Sequence, residues 1–200
     1  LCDDAGIYEF WTDEYVQGLT GYLIERCRDL SQGDDDCKDV VIVDVGAGDG
    51  LLTKIIREKI AKSTMNRKIG KNRKQKKIGK NESTSSKKKR DWNIPKVIAT
   101  DDGSWSIMPK ADVVQLNVKE AMDEYNPHVD ESGVTSKRHH LIVICSWMPM
   151  GEDWSAYFRS VDADEYILIG ECDDGSCGDN WLTWGNKEFH VDQDKDEMNP

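Results

Sequence analysis

Two hundred residues, 38% of them hydrophobic and 32% charged, suffice for one domain or one domain with an insertion. No apolar run reaches the roughly 18 residues of a membrane-spanning helix, which excludes a transmembrane segment of that kind. The net charge of −11 conceals an asymmetry: residues 62–90 carry +12 and the remainder −23, so an acidic body carries a basic segment. Phosphate binding needs clustered positive charge, which excludes nucleic acid as a partner except through that segment.

The chain opens on the acidic stretch Leu1-Cys2-Asp3-Asp4, with no initiator Met and no signal-peptide pattern, and this points to a fragment or a processed product. Residues 7–30 read as helical, because Tyr15, Leu19, Tyr22 and Leu23 recur at helical spacing. Trp11 and Tyr15 are expected to pack, with ligand capping as the second reading. Ser31 to Asp39 is a polar loop. Val40 to Val45 is a run of β-branched residues broken only by Asp44, as expected of a central parallel strand covered on both faces. It enters the turn Gly46-Ala47-Gly48-Asp49-Gly50, and a helix follows from Leu51 to about Lys62.

From Ser63 to Arg90 Lys, Arg, Asn, Ser and Gly dominate, and the segment is expected to be a disordered basic insertion. Lys87-Lys88-Lys89-Arg90 reads first as a solvated charged loop and second as a nuclear-import signal. A second strand is expected over residues 95–101, then a turn at Asp102-Gly103-Ser104-Trp105, and a third strand over 112–118. A short helix over 119–125, a polar loop to His139 and a fourth strand over 141–145 follow. Ser146 to Gly151 leaves that strand, a helix occupies 153–160 and a fifth strand 165–170. A loop rich in Gly, Asp and Trp runs to Gly185, and 186–200 is an acidic tail.

Alternating strands and helices imply an α/β fold, doubly wound around a mainly parallel sheet. Ligands of such sheets bind beyond the carboxyl ends of the strands, where the strand order reverses. Asp44–Gly50, Asp101–Trp105, Asn117, Ser146–Gly151 and Glu171–Trp184 all leave carboxyl ends and should converge on one rim. A dinucleotide turn needs G-x-G-x-x-G; here the glycines stand at 46, 48 and 50, and position 51 is Leu.

The stretch Asp44-Val45-Gly46-Ala47-Gly48-Asp49-Gly50 resembles the first motif of class I S-adenosylmethionine-dependent methyltransferases, [DE]-x-G-x-G-x-G. The resemblance covers about residues 8–185 in element order. It implies a Rossmann-like sheet, S-adenosyl-L-methionine as cofactor, and methyl transfer to an acceptor that the residues do not identify. Asp44, Gly46, Ala47, Gly48 and Gly50 would approach the amino-acid part of the cofactor. Asp101, with Asp102 as the adjacent alternative, would hold the ribose hydroxyls, and Asn117 would contact the adenine. Asp101 lies 57 residues after Asp44, against a usual spacing of about 20, and the basic segment accounts for most of the excess.

The chain departs from the family after its fourth strand and at its end. Cys145-Ser146-Trp147-Met148-Pro149 lacks the Asn-Pro-Pro-Tyr motif of amino-methylating members. Ser146 could offer a hydroxyl or carbonyl, and Glu152 or Asp153 could be a general base or a helix-capping acid. Trp147 could shape an apolar slot or simply pack. The terminal strand pair of the family has no counterpart after Trp184, which would leave strand five an exposed edge with Trp181 and Trp184 poorly covered. Two rivals follow: a non-catalytic cofactor-binding or interaction module, and a nicotinamide-dependent oxidoreductase, which the glycine spacing disfavours.

Other residues carry little chemistry. Cys172 and Cys177 do not have zinc-ligand spacing, and the six cysteines read as reduced, in an intracellular protein of cytoplasm or nucleus. Asp173, Asp174 and Asp179 read as surface acids ahead of metal ligands, so no metal is expected. His139 and His140 are given no catalytic role.

Overall fold

The computed structural model describes residues 11–33, 37, 39–75, 93–105, 107–128, 138–172 and 175–187. In chain order the elements are α1 (Asp13–Gly33), β1 (Val40–Val45), α2 (Leu51–Gln75), β2 (Lys96–Asp101), β3 (Val113–Gln115), α3 (Val118–Glu124), β4 (His140–Ser146), α4 (Ser155–Ser160) and β5 (Glu165–Ile169). The five strands form one sheet in the order β3-β2-β1-β4-β5, every pair parallel. The chain builds outward from β1 through β2 to β3, then crosses back to place β4 on the other side of β1. The strand order therefore reverses between β1 and β4, whose ends align through Val45 opposite both Thr100 and Cys145.

Helices cover both faces, as β1 and β4 require. Successive side chains of a strand point to opposite faces, so each apolar strand feeds two cores. Val40 and Ile42, with Ile142 and Ile144, pack against α1 and α2 through Val16, Leu23, Ile24, Leu52, Ile56 and Ile60. Val43 and Val45, with Leu141, Val143 and Cys145, pack against α3 and α4 through Ala121, Met122 and Phe158. Each fully buried Ile, Leu or Phe contributes about 1.5–3 kcal/mol, so these two layers supply the main stabilisation.

Most element boundaries fall close to expectation, and three differ. The first helix begins at Asp13, and its expected start at 7–10 lies outside the described residues. The edge strand β3 shrinks from 112–118 to three residues, because Leu116 pairs back to Asp101 and Asn117 is already the N-cap of α3. The third difference corrects the expected insertion: α2 runs on to Gln75, so a segment expected to lack structure begins as helix. Lys, Arg, Gln and Met in the extension are good helix formers, while Gly70 and the asparagines at 66 and 72 are poor ones. Residues 76–92, with Lys87–Arg90, lie outside the described residues, as do 188–200 of the tail.

Among the described residues no strand follows β5. The loop after it is nevertheless well seated, which corrects the expectation of poorly covered tryptophans. Trp184 packs on the α3–α4 core and its indole N–H donates to the Cys177 carbonyl at 2.6 Å. The same loop is stitched to the segment after β4: Gly178 donates to the Met148 carbonyl at 3.0 Å and Gly151 to the Gly178 carbonyl at 2.9 Å. No helix among the described residues is long and apolar enough to cross a membrane.

Candidate functional site

The sheet brings the glycine turn to the carboxyl rim, beside the point where strand order reverses. Gly46, Gly48 and Gly50 have φ of 64°, 54° and 71°. These left-handed values cost an L-residue with a Cβ about 1–2 kcal/mol each, which is why glycine occupies all three places. Ala47 donates to the Thr100 carbonyl at 2.9 Å, so the turn stays hydrogen-bonded to β2 as it leaves the sheet.

Asp44 lies beneath the turn, 1% exposed, on the α2 side of the sheet. Its Oδ2 accepts from the Thr53 hydroxyl at 2.7 Å, which joins β1 to the first turn of α2. Burying a carboxylate is costly without such partners. Asp44 therefore holds the base of the turn rather than standing on its surface.

Asp101 is half-buried at the end of β2. Its Oδ2 accepts from the Gly48 N–H at 2.9 Å and its Oδ1 from the Gly103 N–H at 2.8 Å. Each oxygen keeps a further lone-pair direction for an incoming hydroxyl. Asp102 is exposed, and its Oδ1 accepts from the Ser104 N–H at 2.8 Å. Hydrogen bonds from the Ser104 backbone and side chain hold its carboxyl below the usual range.

Asn117 stands at the same rim but is employed locally. Its side chain accepts from the Glu120 N–H at 3.0 Å, and Glu120 returns a bond to the Asn117 N–H at 2.9 Å. This is a capping box, and it accounts for the asparagine by helix initiation alone. The pattern Asn-x-x-Glu was visible in the sequence and could have suggested it.

Five neighbours of the glycine turn were not foreseen. The Trp154 ring lies over Gly46, where a Cβ would come within 2.9 Å of it. A Cβ on Gly50 would meet Val113 at 2.9 Å and Ala111 at 3.1 Å, and one on Gly48 would meet Ile107 at an ordinary 3.6 Å. Lys110 ties its own loop to the turn: its N–H donates to the Asp49 carbonyl at 2.6 Å and its Nζ pairs with the Asp49 carboxylate at 2.9 Å. Asp49 also accepts from the Leu51 N–H at 2.8 Å, which caps the start of α2. Sequence offers no signal for these contacts, since Lys110 and Trp154 are 61 and 105 positions from Asp49 and it is the sheet that brings their loops together.

Beyond β4, Ser146 is buried at the strand end and Trp147 is half exposed, with a φ of 54°. A bulky residue in the left-handed region is strained, and such strain concentrates at functional sites. Trp147 is held there by its N–H, which donates to the Ile169 carbonyl at 2.8 Å. Glu152 is exposed on the same rim. Asp153 is structural: it accepts from the Ser155 backbone and hydroxyl and from the Thr183 hydroxyl.

Other candidates are engaged locally or lie away from the glycine turn. Asp179 accepts from the N–H groups of Trp181 and Leu182 and so shapes its own turn. Among the described residues no group of three His, Cys, Asp or Glu is placed to hold a metal ion. Among the described residues Cys27, Cys37, Cys145 and Cys177 are buried and Cys172 is exposed, and none of them is in a disulfide. His139 contacts the Tyr125 carbonyl at 3.1 Å, and burial pushes its imidazole below the usual range. His140 pairs with Asp164 at 2.8 Å at the opposite, amino-terminal end of the sheet. A separate open groove of about 550 Å³ lies between α1 and β5, lined by Tyr15, Leu19, Tyr22, Tyr166, Ile167 and two glutamates. In it the Tyr22 hydroxyl bonds Glu165, which pushes the phenol above its usual range.

Comparison of the chain with protein-family profiles, curated proteins and solved structures returns no match.

Proposed function

We propose that this chain binds S-adenosyl-L-methionine at the carboxyl rim and transfers its methyl group to a nucleophilic acceptor. The observation that carries the reading is the meeting of Asp101 with the Gly48 amide, 2.9 Å apart, at the point where strand order reverses. An acid at the end of β2 thereby stands beside a turn of three left-handed glycines. The strand order and the glycine spacing together support a Rossmann-like methyltransferase fold.

The cofactor supplies an electrophilic methyl group on a sulfonium centre. The turn Gly46–Gly50 would present its backbone to the amino-acid part, with the side chains of Trp154, Ile107 and Val113 lying against the three glycines. Asp101 accepts from the ribose hydroxyls through its remaining lone pairs, and Asp102 adds negative charge beside it. Asp44 fixes the turn from below through Thr53. Asn117 keeps the start of α3 at the rim by its cap. On the acceptor side, Trp147, Ser146 and Glu152 leave β4 together. Trp147 offers an apolar face there, and Glu152 is the exposed carboxylate best suited to take a proton. The protein contributes positioning above all, because near-contact alignment of the reacting atoms removes much of the barrier.

One observation favours a second reading, a non-catalytic cofactor-binding module. The clearance above Gly46 is taken up by the chain's own Trp154 ring. Leu51 in place of the third dinucleotide glycine disfavours a nicotinamide enzyme.

Titration calorimetry of the full chain with S-adenosylmethionine, S-adenosylhomocysteine and NAD tests the reading. Saturable binding of both sulfur nucleosides, weakened at least tenfold by Asp101→Ala, is expected (about 1.4 kcal/mol per tenfold). Binding of NAD alone overturns it. Labelled-methyl transfer to cell-extract fractions then separates the enzyme from the binding module.

A further inference from the structure

The basic half of α2 is unused by the rim and has a geometry of its own. The helix starts at the glycine turn, on the carboxyl rim, and runs toward the amino ends of the strands. Arg57 already donates to the carbonyl of Val97, the second residue of β2, at 2.9 Å. Leu52, Ile56 and Ile60 are buried, whereas Ala61, Lys62 and Met65 are exposed. Residues 51–60 span about 15 Å of axis, close to the length of the strands they cover, and 61–75 add about 22 Å beyond them.

That projecting length holds Lys62, Arg67, Lys68, Lys71, Arg73 and Lys74 and no acid. The last cation before it, Lys59, pairs with Asp13 at 3.2 Å. In the sequence the cations at 67, 71 and 74 are spaced three and four apart, a spacing at which like charges disfavour a helix. A solvated helix relieves such repulsion with interspersed glutamates, and none is present. A dense array of anions relieves it instead.

We propose that residues 62–75 of α2 form an arm that binds the phosphate backbone of a nucleic-acid duplex, independently of any methyl transfer. The chemistry favours phosphate over a lipid surface, because Met65 and Ile69 are the only large apolar residues of the arm and cannot anchor it in a bilayer. It favours a duplex over a single strand, because residues 62–90 contain no aromatic ring on which a base could stack. Lys and Arg contacts to phosphate dominate affinity and carry no sequence information, and RNA and DNA duplexes share that chemistry. The arm leaves from the end of the sheet opposite the glycine turn, so it anchors the protein to the polyanion and leaves the rim open.

Fluorescence anisotropy of the full chain with a labelled duplex two helical turns long tests this. Micromolar binding is expected at low salt. Neutralising about four phosphates predicts an affinity loss of roughly 100-fold between about 50 and 200 mM salt. The variant R67Q/K68Q/K71Q/R73Q/K74Q keeps side chains of similar helix propensity, and far-UV circular dichroism checks its fold. It should bind at least tenfold more weakly at low salt and show a flatter salt dependence. DNA and RNA duplexes run side by side show which source is preferred. Unchanged affinity and salt dependence in the variant overturn the proposal. So does tighter binding to a single-stranded homopolymer, or binding to phosphatidylserine vesicles without binding to either duplex.

Discussion

Gly46→Ala separates the backbone requirement of the glycine turn from its tertiary packing. The φ of 64° alone costs an alanine roughly 1–2 kcal/mol. The added Cβ would also lie 2.9 Å from the Trp154 ring, and overpacking of this kind costs typically 1–3 kcal/mol, or about 2–5 in all. Gly48→Ala is the internal reference, because its φ of 54° carries the same backbone cost while its nearest neighbour, Ile107, is 3.6 Å away. Urea unfolding followed by far-UV circular dichroism should place G46A below G48A by about 1–3 kcal/mol. In a Trp154→Leu background that gap should close, giving a coupling energy of the same size. Equal costs for G46A in both backgrounds would refute the packing of Trp154 on the turn. Such a result would also remove the observation that favours the non-catalytic reading.

Other outcomes follow from the same structure. Burial pushes the Cys27 thiol up to about 12 from 9.0, so the folded state keeps its proton where the unfolded chain loses it. Stability is unaffected below pH 9 and falls between pH 9 and 12, by up to about 1.4 kcal/mol per pH unit. Urea midpoints of wild type and Cys27→Ala across that range should converge as pH rises; parallel curves would contradict the burial. His140→Leu removes the imidazole from the Asp164 carboxylate, which keeps the Leu141 N–H, and should cost roughly 1–3 kcal/mol in urea unfolding. Asn117→Ala removes the capping box and should cost about 1 kcal/mol. Calorimetry on that variant shows whether the residue also touches ligand, since a purely structural cap leaves cofactor affinity unchanged.

Much of the sheet was legible because its evidence is local. The apolar runs 40–45 and 141–145 declare two strands buried on both faces, and the alternation of strands with helices declares a parallel α/β sheet. The spacing of Gly46, Gly48 and Gly50 declares left-handed turns, because glycine alone takes those dihedrals without strain. The end of α2 was not legible, since the apolar periodicity stops at Ile60 while the helix runs on to Gln75. The three-residue β3 was overestimated because an edge strand stops where its single partner stops.

The partners of the site residues lie on the other side of that divide. The resemblance named Asp44, Asp101 and Asn117, but not the Thr53 hydroxyl, the Gly48 amide or the Glu120 amide that engage them. Nor did it reveal that Trp154 covers Gly46 or that Lys110 ties a second loop to Asp49. A strand or a turn is set by dihedral preferences and hydrophobic period within a few residues, so the sequence by itself determined the elements and the position of the glycine turn. Which side chain fills the space above that turn depends on the order in which five strands assemble, and long-range packing decided it.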